Sequence, residues 1–243
     1  MSARYAIYLA PPPDSAIWRF GSRVIGRDAA TGEAIEGYAP QGYSPEAWRA
    51  VTAAPRLYGF HATLKAPFRL QEGCTPEELE TEIAALAASV AAFDLGPLQV
   101  SSFRFSDGGF VALRPVRASA RLAELEALAV RQLDRFRAPP NEAEMARRRP
   151  ERLTTRQREL LAVWGYPYVL DEFRLHFTLS GATDKPDALA ESLADDFARA
   201  IAAPGFRVDA LTLFVQQESA DFYVKRRFAL SAGSSSRTRA SFS

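Results

Sequence analysis

Gly59-Phe60-His61-Ala62-Thr63-Leu64 decides how this chain is read, because its pattern returns as Arg174-Leu175-His176-Phe177-Thr178-Leu179. Both hexads alternate in the period-two manner of a half-buried strand. His61 and Thr63 fall on one face, with Gly59 and Lys65 beside them, while Phe60, Ala62 and Leu64 fall on the other. In the second copy Arg174, His176, Thr178 and Ser180 share a face, backed by Phe173, Leu175, Phe177 and Leu179. Each copy is thus expected to present an imidazole next to a hydroxyl, supported from behind by packing.

The surroundings repeat as well. After the first hexad, Thr75-Pro76-Glu77-Glu78 forms a capping box with proline at the first helical position, and Leu79, Ile83, Leu86, Val90 and Phe93 follow at steps of three and four. Two strand-like runs come next, Leu98–Phe105 and Phe110–Pro115, joined by the turn at 106–109. After the second hexad a helix opens near Asp184-Lys185-Pro186 and carries Leu189, Leu193, Phe197 and Ile201 on one side. The runs Val208–Gln216 and Phe222–Leu230 then read as a second hairpin. Strand, helix and hairpin therefore occur twice in the same order. Residues 5–9 read as an opening strand, 14–25 as a helix, 44–51 as a short helix, and Ser119 caps a longer one. Residues 27–43 and 138–153 read as loops.

This duplication predicts an α+β fold, bilobal, with two antiparallel-sheet lobes carrying helices, a pseudo-twofold relation and a cleft between the lobes. The expected division is an N-terminal lobe over 1–116, a C-terminal lobe over 117–231 and a disordered tail over 232–243, where Ser, Ala, Arg and Gly dominate.

Composition narrows the chemistry. The formal net charge is +1, so there is no global field to hold a long nucleic acid, although RNA ends stay compatible with it. Two histidines and one cysteine, Cys74, are too few for a zinc site of four Cys/His ligands and leave no internal disulfide. No GxxxxGK[ST] loop and no dinucleotide-binding glycine fingerprint is present. No cofactor and no metal are expected. The apolar start ends at three prolines after a few residues, which predicts neither a leader nor a membrane span. A cytoplasmic monomer acting on a small phosphate ester is the expectation.

Both histidines of the chain lie in His-x-Thr-Leu, a coincidence on the order of one in a few hundred per site at ordinary residue frequencies. A single strand histidine is usually structural. A matched pair can serve as one neutral and one protonated imidazole near neutrality. His61-Ala62-Thr63-Leu64 and His176-Phe177-Thr178-Leu179 resemble the signature of the 2H phosphoesterase superfamily. Arg56 through Lys65 and Trp164-Gly165-Tyr166-Pro167-Tyr168 are similar to a bacterial branch found with phosphonate-utilisation genes. The resemblance implies metal-independent hydrolysis of a cyclic phosphate, a nucleoside 2′,3′-cyclic phosphate or a ribose cyclic phosphate. By that analogy His61 is the acid, His176 the base, and Thr63 and Thr178 hold phosphate oxygens.

Lys65 and Arg174, each on its histidine's face, are the expected phosphate cations, and Tyr58, Tyr166 and Tyr168 the expected stacking residues. Among Arg147, Arg148, Arg149, Arg152, Arg156 and Arg158, interspersed glutamates point to a solvated helical surface. That run reads a second phosphate only if it folds over the cleft. Two other functions fit the same pattern: an RNA-processing enzyme that ligates or cleaves 2′–5′ linkages, and a non-catalytic sensor of a phosphorylated metabolite.

Overall fold

The computed structural model describes residues 3–105, 107–218 and 220–232, so most of the expected tail lies outside the described residues. The chain is α+β. It begins with β1 (Arg4–Leu9), α1 (Ala16–Ile25), α2 (Pro45–Val51), α3 (Ala53–Tyr58) and β2 (Ala62–Arg69). It continues through α4 (Pro76–Ser89) and the β3 (Phe93–Phe105) and β4 (Gly108–Pro115) hairpin to α5 (Ala120–Gln132). Then come α6 (Glu142–Arg147), α7 (Thr155–Trp164), β5 (Phe177–Thr178), α8 (Pro186–Ala200), β6 (Gly205–Val208), β7 (Ala210–Gln216) and β8 (Tyr223–Ala229).

The expected caps are made: the Thr75 hydroxyl accepts from Glu78 N–H while the Glu78 carboxylate accepts from Thr75 N–H. One eight-stranded sheet runs β6-β3-β4-β5-β2-β1-β7-β8, antiparallel at every pairing. The two strands that follow the histidines are its central pair, and three strands flank each of them.

The division at residue 116 is not a division of this sheet. The hairpin β3–β4 from the first half of the chain sits with β5 and β6, and β7–β8 from the second half sits with β1 and β2. Each half of the sheet is therefore built by exchange between the two halves of the chain. The run read as one strand over Val208–Gln216 is two: β6 pairs with β3, and β7 with β1, at opposite ends of the sheet.

Arg174–Leu179 also departs from a full strand. Leu179 and Ser180 both donate to Val111 O, at 2.9 and 3.1 Å, and this convergence breaks the ladder after Thr178. Within 138–153, read as loop, α6 forms on a second capping box, Asn141 with Glu144.

One face of the central pair is packed. Phe60, Ala62 and Phe177 are fully buried, the Phe60 and Phe177 rings lie 5.4 Å apart, and Phe20 of α1 meets Phe197 of α8 at 5.2 Å. That burial leaves the other face of the same strands open, and the histidines lie there.

Candidate active site

The site follows from register. Ala62 of β2 pairs with Phe177 of β5. One step to either side in an antiparallel ladder sets Thr63 across from His176 and His61 across from Thr178. Because alternate residues share a face, these four side chains gather opposite the buried Ala62 and Phe177. All four line one cleft of about 470 Å3, ample for a small sugar phosphate.

Each ring is oriented identically. His61 Nδ1 donates to Gly59 O and His176 Nδ1 to Arg174 O, both at 2.8 Å and both two residues back. With Nδ1–H committed to a carbonyl, Nε2 is left as the reactive nitrogen. His61 Nε2 lies 3.3 Å from the Thr63 hydroxyl.

Aromatic walls desolvate both rings. Tyr8 stacks on His61 with centroids 3.7 Å apart, and Phe214 and Tyr58 stand at 5.9 and 6.3 Å. Phe103 and Phe110 flank His176 at 5.4 and 5.5 Å. Burial pushes His61 down to about 4, opposed by its bond to Gly59 and reinforced by the charge of His176. Burial also lowers His176, opposed by its bond to Arg174. Both imidazoles are thus held toward the neutral form, His61 strongly.

Two expected cations are elsewhere. Lys65 shares parity with Thr63 on paper, but β1 pairs Tyr8 with Thr63 and Ile7 with Lys65 across a register shift. Adjacent β1 residues face opposite ways, so this bulge turns Lys65 away from the hydroxyl. It is 3% exposed, and its ammonium donates to Asp134 Oδ1 at 2.9 Å and Val130 O at 3.0 Å. Lys65 supports α5 and does not line the cleft. Lys65→Ala is expected to lower stability by about 1–3 kcal/mol, the cost of unmaking a charge-assisted bond in the interior, because Asp134 keeps Arg137. Denaturant melts would show this; an unchanged midpoint with a raised KM would return Lys65 to the phosphate.

Arg174 is exposed and donates to the carbonyls of its own turn, Asp171 O at 3.0 Å and Phe173 O at 2.7 Å. Tyr168 is 46% exposed and outside the lining, whereas Tyr58 and Tyr166 are in it.

The cations that do line the cleft are Arg4, Arg69, Arg137, Arg147 and Arg148, with Glu144 as the acid among them. The arginine run divides: Arg147 and Arg148 reach the cleft, while Arg156 pairs with Asp171 and Glu159 on the surface. Arg4 and Tyr8 had no signal in the sequence beyond an alternating strand; their role comes from the β1–β2 register. Among the described residues no group of three or more His, Cys, Asp or Glu is placed to hold a metal ion, and no helix is long and apolar enough to cross a membrane.

A ribose 1,5-bisphosphate phosphokinase of Laribacter hongkongensis is 39% identical over 227 residues, which are 89% of this chain and 49% of that protein. The chain thus spans about half the length of that relative. Among solved structures, Escherichia coli LigT complexed with 3′-AMP is 14% identical with a TM-score of 0.42, covering 95% of this chain and 99% of that one. Kluyveromyces marxianus Usb1 is 12% identical with a TM-score of 0.40, covering 93% and 98%. The model of the family described as a protein of unknown function, DUF1045, matches residues 63–223, and the chain belongs to that family.

Proposed function

We propose that this protein hydrolyses a small cyclic phosphodiester with two histidines as general base and general acid. The observation that carries the reading is the facing pair of His-x-Thr strands. Two imidazoles, each fixed through Nδ1 to a carbonyl, line one cleft with two hydroxyls.

The depressed His61 suits the base, and His176 retains a proton more readily, so the acid. This reverses the roles implied by family resemblance. Water attacks phosphorus and loses its proton to His61 Nε2. The P–O bond to the ring oxygen breaks in line, and that oxygen takes a proton from His176. Thr63 and Thr178 donate to the non-bridging oxygens, where charge grows in the transition state.

The test is phosphorus NMR on purified protein with EDTA and a panel of cyclic phosphates. Turnover is expected to survive chelation. kcat/KM should follow a bell on the acid side of neutrality. Below about 4 His61 is protonated and the base is lost; above the lowered pKa of His176, itself under 6.5, the acid is lost. A panel with no turnover, turnover abolished by EDTA, or a rate that climbs steadily to pH 9 would each defeat the proposal.

A further inference from the structure

We infer that the substrate carries a second phosphate, a monoester, held by Arg147 and Arg148 in the same cleft as the histidines. The inference rests on the proposed placement of the cyclic phosphate between His61 and His176, and it adds what the rest of the cleft takes.

The cationic lining is only partly balanced within the protein. Arg69 makes a forked pair with Glu144, at 3.2 and 3.1 Å, and Arg137 makes one with Asp134, at 2.8 and 3.0 Å. Arg4 gives its Nε–H to Gln216 and lies over the Phe222 ring. Arg147 and Arg148 have no ion pair among the described residues. The Arg148 guanidinium carbon lies over the Tyr166 ring, 4.7 Å from its centroid, a contact that uses none of the fork's donors. Arginines without an ion pair at a concave site, Arg148 half-buried on Tyr166 and Arg147 exposed beside it, are suited to recognising phosphate oxygens in pairs.

Tyrosines line the same cleft and touch both groups. Tyr8 stacks on His61, Tyr58 stands beside it, and Tyr166 carries Arg148. Tyr8 is 1% exposed and in the lining, and its hydroxyl makes no hydrogen bond among the described residues. A hydroxyl with no protein partner on the wall of a cleft is a position for a ligand oxygen. Histidines, hydroxyl-bearing rings and unpaired guanidinium groups gathered in one cleft match a cyclic phosphate, a sugar and a terminal phosphate.

The test needs no turnover, so its failure is distinct from failure of the proposed hydrolysis. Adenosine 2′-monophosphate and adenosine 2′,5′-bisphosphate are titrated calorimetrically into the full chain and into Arg147→Ala/Arg148→Ala, with Arg147→Ala alone as a second variant. The bisphosphate is expected to bind at least about tenfold more tightly than the monophosphate. The double variant should lose that preference while keeping the monophosphate affinity and melting within a few degrees of the parent. Arg147→Ala should lose part of the preference with Arg148 still stacked. Equal binding of both ligands, or a preference that survives in the double variant, overturns the inference. So does affinity that climbs with each further nucleotide of a short RNA, which would mark a polynucleotide groove.

Discussion

Alanine at His61 or at His176 is expected to lower kcat/KM on the proposed cyclic phosphodiester by about 10²–10⁴-fold. Alanine at both costs little more than the worse single change, because the two groups act in one transition state. The losses are expected without unfolding, since both rings are half-buried on the open face of the sheet's central pair, whose opposite face carries the packing. Leaving-group chemistry separates the two roles. An ester that expels p-nitrophenolate needs no proton on the departing oxygen, so His176→Ala should recover most of its rate there and His61→Ala should not. The reverse recovery would exchange the assignments. Rates for both variants within a few-fold of the parent, with native circular dichroism, would remove the acid–base pair altogether.

Much of that site was legible in the chain because a strand writes its faces into the sequence at period two. His61 with Thr63 and His176 with Thr178 need no tertiary information beyond alternation. The duplicated caps and hairpins likewise announced an antiparallel α+β fold. What alternation cannot carry is lateral order. Nothing in Leu98–Phe105 or Phe110–Pro115 says that this hairpin pairs beside β5 from the other half of the chain. The same gap misplaced Lys65. A bulge is a property of two strands, and the shift between Ile7 and Tyr8 is invisible when β2 is read alone. Arg174 failed for a related reason, since its stretch leaves the ladder and the guanidinium closes its own turn. Arg147 and Arg148 were obscured by local charge pattern. The nearby glutamates suggested a solvated surface, yet Glu144 is committed to Arg69 across the fold, which leaves the two arginines to the cleft.

Gly59→Ala is expected to combine a large loss of stability with a loss of activity, and the reason lies in one peptide. Gly59 ends α3 at φ 79° and ψ 174°, a conformation that is essentially reserved for glycine. A Cβ there would also stand 2.4 Å from the Cβ of Ala29, itself fully buried. Backbone strain of about 1–3 kcal/mol and overpacking of about 1–3 kcal/mol together amount to a fall in Tm on the order of 10 °C for a chain of this size. The carbonyl of the same residue accepts Nδ1–H of His61. Rotating that peptide to relieve the clash withdraws the acceptor that fixes the ring, so Nε2 loses its aim at the cleft. In the fraction still folded at 20 °C, kcat should therefore drop at least tenfold, with the acid limb of the pH profile displaced because the bond to Gly59 no longer favours the imidazolium. Arg174, whose carbonyl does the same for His176, has ordinary negative φ and tolerates alanine without either effect. Thermal melts and pH–rate profiles of the two variants side by side check the contrast. A Gly59→Ala protein that melts and turns over like the parent would show that the carbonyl clamp on His61 is not what orients the base.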